Sequence, residues 1–271
     1  MMLGVSRAAH DQVRAALATA LDSGVDWSVL SEELFSVVAL LDSSSMLRRA
    51  LADPSRSPQG KKALVERLLT DKASPATVAL VGEAVAQRWS DEQDLTATLD
   101  QAAVETQVAI AQASGSADEL EEQLFRFERA VAGNPDLRDA IGDPRLPVER
   151  KLDLVQRLLA DKANPQTVRL ARQAVAAPRG KRFAQAIDHY LDVAAKRREQ
   201  LSAVVTVATA LSTQQHDRLE AALSRIYSKP VTLKMVIDPE VLGGIRVQVG
   251  DEVVDGTIVR RLDEVRRLLG S

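Results

Sequence analysis

Two stretches decide the fold: Leu47–Ala86, LRRALADPSRSPQGKKALVERLLTDKASPATVALVGEAVA, and Leu137–Ala176, LRDAIGDPRLPVERKLDLVQRLLADKANPQTVRLARQAVA. They align without gaps at a constant offset of 90 positions, 47 to 137 and 86 to 176. About half of the paired positions are identical, which chance does not produce, so one supersecondary block has been copied whole. Each copy reads as helical. Leu64, Val65, Leu68 and Leu69 in the first, and Leu154, Val155, Leu158 and Leu159 in the second, have the spacing of a buried helical stripe. Ser74-Pro75 and Asn164-Pro165 then restart a helix: the Ser or Asn oxygen accepts from free amides, and proline suits the first turn. Asp53-Pro54 and Asp143-Pro144 mark the turns before them.

Outward from the repeat, more helices follow. Val5, Ala9, Val13, Ala16, Leu17 and Ala20 line one face of a first helix, with Asp11 and Arg14 opposite. A second helix follows Asp26, with Leu30, Leu34, Val37, Val38 and Leu41 inward. Asp91 to Gln112 is one long helix leading to Ser114-Gly115-Ser116, the expected break between copies, and Glu119 to Ala132 resembles the second helix of the first copy. A further helix is expected from about Lys181 to Gln200, with Phe183, Ile187, Tyr190, Leu191 and Ala194 inward.

The end of the chain changes character. Val204 to Leu211 reads as a strand, and Ser212-Thr213-Gln214-Gln215 is a capping box. It opens a helix with Leu219, Ala222, Leu223 and Ile226 on one face, stopped by Ser228-Lys229-Pro230. Val231, Leu233, Met235 and Ile237 alternate as in a strand with one buried face, and so do Ile245, Val247 and Val249. Gly250-Asp251 is a hairpin turn into Glu252-Val253-Val254, and Ile258, Leu262, Val265 and Leu269 belong to a last helix. The fold class expected is mainly α: two related helical-bundle units over 1–113 and 114–201, then a small α/β domain over 202–271.

Composition narrows the function. A chain of 271 residues fits about two domains. Apolar residues at 45% and charged residues at 27% are an ordinary globular balance, and only 3% aromatics argues for close-packed helices over an aromatic-lined pocket. A net charge of -3 calls for no polyanion partner. Without cysteine there is no disulfide, thiolate site or cysteine nucleophile; a reducing cytosol is compatible. The opening MMLGVSRAAHDQ does not read as a signal peptide, and no apolar stretch approaches the ~18 residues of a membrane span.

Chemistry finds no anchor. His10, His189 and His216 lie far apart and match no metal-ligand spacing. Glu32-Glu33 and Glu121-Glu122 are adjacent on helices and diverge, so they read as solvated faces. Gly243-Gly244 lacks the context of a phosphate loop and reads as a tight entry to the next strand. No GxSxG elbow is present. Lys196-Arg197-Arg198, Arg260-Arg261 and Arg266-Arg267 have acidic neighbours and few aromatic platforms, against nucleic-acid binding. Trp27 and Trp89 read as packing residues.

The terminal stretch VIDPEVLGGIRVQVGDEVVDGTIVRRLDEVRRLL resembles the signature of the F-type ATP synthase delta subunit family, which includes the oligomycin sensitivity-conferring protein. The preceding TVATALSTQQHDRLEAALSRIYSKPVTLKMVID is similar to that family's C-terminal region, and SRAAHDQVRAALATAL, more weakly, to its first helix. The resemblance marks Asp238, Gly243, Gly244, Gly250, Asp255 and Gly256 as motif positions of structural importance. It departs from the usual pattern in its duplicated helical unit.

The resemblance implies a non-catalytic stator component, without cofactor or metal, linking the alpha/beta head to the b subunits during proton-driven ATP synthesis. It implies a hetero-oligomeric complex peripheral to the cytoplasmic face of a bacterial cell membrane, with no nucleic acid and no span of its own. The family receives the N-terminal helix of an alpha subunit between its first and fifth helices, here Ala9, Val13, Ala16 and Leu17 with Val78, Val81 and Val85. The b-type stalk is expected on the terminal helix at Leu262, Val265 and Leu269. Core packing competes with docking at each of these positions. An unrelated helical adaptor remains the alternative, with an enzyme carrying an unrecognised pocket behind it.

Overall fold

The duplication holds down to the helix boundaries. Helices α2 (Trp27–Ser43), α3 (Ser45–Ala52), α4 (Pro58–Leu69) and α5 (Pro75–Ala86) reappear 90 positions later as α7 (Ala117–Gly133), α8 (Pro135–Gly142), α9 (Val148–Leu159) and α10 (Pro165–Ala176). The protein is described by a computed structural model that covers residues 4–177, 182–199, 201–227, 231–238, 241, 244–249 and 252–255.

Local chemistry explains the shared boundaries. Ser74 Oγ and Asn164 Oδ1 accept from the amides of Thr77 and Thr167, capping α5 and α10, and proline follows each cap. Just past α4 and α9, Asp71 and Asp161 take left-handed backbone (φ 62° and 58°), ending each helix one turn before the next begins. The cap is held from outside in both copies. Glu33 accepts from the Ser74 amide (2.9 Å), and its counterpart Gln123 accepts from the Asn164 amide (2.8 Å).

The first helix, α1 (Gly4–Asp22), has its counterpart in α6 (Glu92–Ala113). Buried Ser6, Ala9, Val13, Leu17 and Leu21 map by the same offset onto buried Thr96, Leu99, Ala103, Gln107 and Ala111. Helix α11 (Phe183–Glu199) stands in the same relation to α6. So α6 closes the first copy and opens the second. It packs on α1, α2, α3 and α5 of one copy and on α7 and α10 of the other. Residues 102–109 are buried without interruption, a burial no two-sided amphipathic helix has. Inside it, Ser31 donates to the Ala103 carbonyl (3.0 Å) and accepts from Gln107 (3.1 Å), so polar groups at the α2–α6 seam are satisfied. Phe127 and Phe183 meet edge to face, centroids 5.7 Å apart.

The chain divides into two compact units, Met1–Ala194 and Ala195–Ser271, each with its own apolar core. In the second unit, β1 (Leu201–Val207), β2 (Val231–Ile237), β3 (Ile245–Val249) and β4 (Glu252–Asp255) form one sheet in the order β2-β1-β3-β4. The β1–β2 pair is parallel, so the connection must cross over, and α12 (Thr213–Tyr227) provides it. The other pairs are antiparallel. Ala203, Val205, Val207, Leu223, Val231, Leu233 and Val247 make the core. The capping box forms as expected: Ser212 N–H donates to Gln215 Oε1 (2.9 Å) and Gln215 N–H to Ser212 Oγ (3.3 Å).

The mainly helical fold with a small terminal α/β part is as expected, and several details are corrected. Val5 is 54% exposed and points away from the stripe it was placed in. The first terminal strand covers Leu201–Val207, not Val204–Leu211; Ala208 and Thr209 already bend toward the capping box. On α12 the buried stripe runs through Leu219, Leu223 and Tyr227, while Ala222 is exposed and Ile226 is 72% exposed. On β2, Val231 and Leu233 are buried but Met235 and Ile237 are exposed, because only the first half of this edge strand lies over the core. The last helix expected around Ile258 lies outside the described residues.

Candidate docking surfaces

Helix α1 is held on α5 and α6 by apolar packing and by polar ties at its edges. Ser6 Oγ accepts from the Ser90 amide (2.8 Å), and Arg14 Nε lies 3.1 Å from a Glu105 carboxylate oxygen. His10 shares a 3.4 Å contact with the Thr98 hydroxyl. Of the seven residues expected to receive a helix, Ala9, Val13, Leu17, Val81 and Val85 are core side chains at 3% exposure or less. They join α1 to α5. Ala16 and Val78 are half-buried against that core. The surface open to a partner here is therefore narrower than the sequence pattern and displaced outward from it, toward exposed Ala8, Gln12, Ala15 and Ala79.

The equivalent face of the second copy is not open. The 90-residue offset carries exposed Ala8, Gln12, Ala15 and Thr19 of α1 onto Thr98, Ala102, Glu105 and Ala109 of α6, all buried under the first copy. The stripe pattern alone could not reveal this, because it reports which side of a helix is apolar and not what lies over the other side.

Among the motif positions, Asp238 receives structural support: its amide donates to the Val207 carbonyl (2.9 Å) and its carbonyl accepts from Val241 (3.1 Å), tying the end of β2 back to β1. Gly244 adopts φ 99°, where a side chain would be strained, just before β3. Asp255 lies opposite Arg246 in the β3–β4 register, and Val249 pairs with Glu252 across the expected turn. Gly243, Gly250 and Gly256, and the stalk candidates Leu262, Val265 and Leu269, lie outside the described residues.

Within the helical body an open cleft of about 950 Å³ is lined by Asp42, Arg48, Asp94, His189 and Tyr190 among others. Arg48 is fixed there by Glu92 (3.2 Å) and by the Leu41 carbonyl (3.1 Å). His216 sits beside Asp217 and Glu220 on α12, remote in sequence from the other two histidines. Among the described residues no three His, Asp or Glu side chains gather as a metal site. Trp27 and Trp89 donate to the Leu21 and Ala84 carbonyls as packing residues. No helix among the described residues is long and apolar enough to cross a membrane.

Comparison with known proteins agrees with this architecture. The family model described as ATP synthase delta (OSCP) subunit matches residues 105–269. Proteins named ATP synthase subunit delta are similar over the whole length. The one from Kineococcus radiotolerans is 44% identical over 99% of this chain and 98% of its own. That from Thermobifida fusca is 44% identical over 100% of both chains, and that from Streptomyces coelicolor 42% over 100% and 99%.

Proposed function

The chain belongs to the ATP synthase delta (OSCP) family, a structural subunit of the F-type ATP synthase whose general role is stator linkage, and from that premise we propose how its parts divide the work. The helical body takes the head side. Its α1–α5 face receives the N-terminal helix of an alpha subunit, with Ala16 and Val78 at the contact and Ala9, Val13, Leu17, Val81 and Val85 fixing the two helices behind it. The terminal unit takes the b-type stalk, with Leu262, Val265 and Leu269 as the contacting side chains. The work is mechanical and needs no catalytic group: the joint resists torque while the rotor turns, at the cytoplasmic face of the bacterial membrane.

The observation that carries this reading is the asymmetry of the two copies. Both have the family's first-and-fifth helix pair, yet the α1–α5 pair has an exposed outer edge and the α6–α10 pair has that edge covered. One copy, residues 1–113, is thus free for the head. The other, 114–201, braces it and leads into the terminal domain, 202–271. Two cores, one per unit, support a separate attachment for each unit.

Deleting residues 202–271 tests the division. The shortened chain is expected to stay with the alpha/beta head while the b subunits are lost, and the head continues to hydrolyse ATP. Retention of the b subunits by the shortened chain would refute the assignment.

A further inference from the structure

The two copies differ at one surface in a way that points to a partner. In the first copy, Glu32 and Phe35 lie one helical turn apart on α2. Arg169 of α10 closes over them: its guanidinium carbon stands 4.2 Å from the Phe35 ring centroid, and its Nε pairs with the Glu32 carboxylate. Phe35 is left 3% exposed. An arginine plane on an aromatic face, with a carboxylate to accept its edge, is a specific joint between helices.

The second copy repeats the constellation without the cover. Glu122 and Phe125 occupy the positions of Glu32 and Phe35, 90 residues on, on α7. Phe125 is 55% exposed, and Glu122 makes a same-helix pair with Arg126 (2.6 Å) that solvent reaches from both sides. Asp118, Glu119, Glu121 and Glu128 share that helix against Arg126 and Arg129, so its charge is acidic. A large aromatic on an acidic helix face offers what Arg169 uses inside this chain.

We propose that the Glu122–Phe125 surface of α7 is a docking site for an arginine-bearing helix of another polypeptide of the synthase. The occupant repeats the Arg169 contact: arginine over the Phe125 ring, with its edge on Glu122. A second copy of this chain does not supply it, because Arg169 is already engaged and its counterpart on α5 is Ala79. The source of the partner rests on membership in the complex, but the chemistry of the site does not depend on which unit holds the stalk.

The test uses the full chain and a labelled, helix-stapled peptide with the sequence of residues 164–177, NPQTVRLARQAVAA. Saturable binding is expected, weakening with salt. Phe125→Ala in the chain, or alanine in place of the peptide's arginine equivalent to Arg169, weakens it at least about tenfold. Phe125 is exposed, so the variant keeps its helical circular dichroism; Glu122→Gln gives an independent second variant. No saturable binding, or binding indifferent to these changes, overturns the proposal. In the purified synthase, Phe125→Cys gives the chain its one thiol, which reacts with an alkylating reagent in the free chain and is protected in the complex. Equal reactivity in both overturns the proposal, as does dimerisation of the free chain that Phe125→Ala abolishes.

Discussion

Glu33 concentrates the logic of the repeat in one side chain. It accepts from the Ser74 amide, from the Ser74 hydroxyl (2.7 Å) and from the Thr77 hydroxyl (2.6 Å), joining α2 to the start of α5. Burial pushes its carboxyl upward, and the hydrogen bonds from Thr77 and Ser74 outweigh that push, so its pKa lies below the ordinary glutamate value. A depressed acid stabilises the fold above its unfolded pKa, and that contribution is lost as pH falls through the folded pKa. Glu33→Ala is expected to cost about 2 kcal/mol at pH 7, since it removes charged hydrogen bonds from a helix start. Glu33→Gln should cost less, because Gln123 performs the same task in the second copy. It should also remove part of the stability lost on acidification. Urea unfolding at neutral pH and near pH 3.5 reads both; an unchanged acid response in Glu33→Gln would refute this role.

Helices α2 and α7 show what a sequence pattern can and cannot hold. Leu30, Leu34 and Leu41 of α2 are legible as core from periodicity, and Leu120, Leu124 and Val131 of α7 stand 90 positions on, in the stretch legible only by its resemblance to α2. Phe35 and Phe125 share residue type, helix position and copy position, yet the first is 3% exposed with Arg169 of α10 over its ring and the second is 55% exposed. Helix α6 was legible as a long helix but not as a shared one. Its Thr98 and Glu105 look like a solvated face, and they are buried because α1 of the first copy lies over them, while Gln107 lies on the opposite side against Ser31 of α2. The docking residues suffered the same blindness: Val13 and Val81 follow the stripe into the core, and what remains open is the edge beside them. A shared helix should not tolerate growth. Ala103 is fully buried and its carbonyl accepts from Ser31, so Ala103→Leu is expected to destabilise the helical body by about 1–3 kcal/mol. Ala15→Leu, on the exposed side of α1, should fall within about 0.5 kcal/mol of the parent. Equal losses in the two variants by chemical denaturation would mean that α6 is not the crowded helix.

At the scale of the whole molecule, sharing α6 makes the helical unit one packed body out of two incomplete ones. A copy cut at Ser114-Gly115-Ser116 would leave α7 to α11 without the helix on which α7 and α10 pack. The apolar faces of Leu120, Leu124, Leu170 and Ala174 would then open to water, and burying a leucine is worth about 2 kcal/mol against a marginal total stability. A chain starting at residue 114 is therefore expected to lack a cooperative thermal transition for its helices, whereas one starting at Asp91, the cap of α6, should have one. The match of the family model from residue 105 falls inside α6, as it would if a bundle of the family's usual size needed that helix as its first. For a torque-bearing joint the consequence is mechanical. Two bundles on a flexible linker would store rotation as bending, while two bundles sharing a buried helix transmit it, because tightly packed interiors deform little. Inserting a Gly-Ser linker after Gly115 leaves α6 and both cores intact, so the assembled synthase should remain coupled. Replacing Leu99 and Ala103 by glycine weakens the shared helix itself and should lower ATP-driven proton pumping more than head hydrolysis. If pumping and hydrolysis fall in the same proportion in that variant, rigidity of α6 is not what the stator relies on.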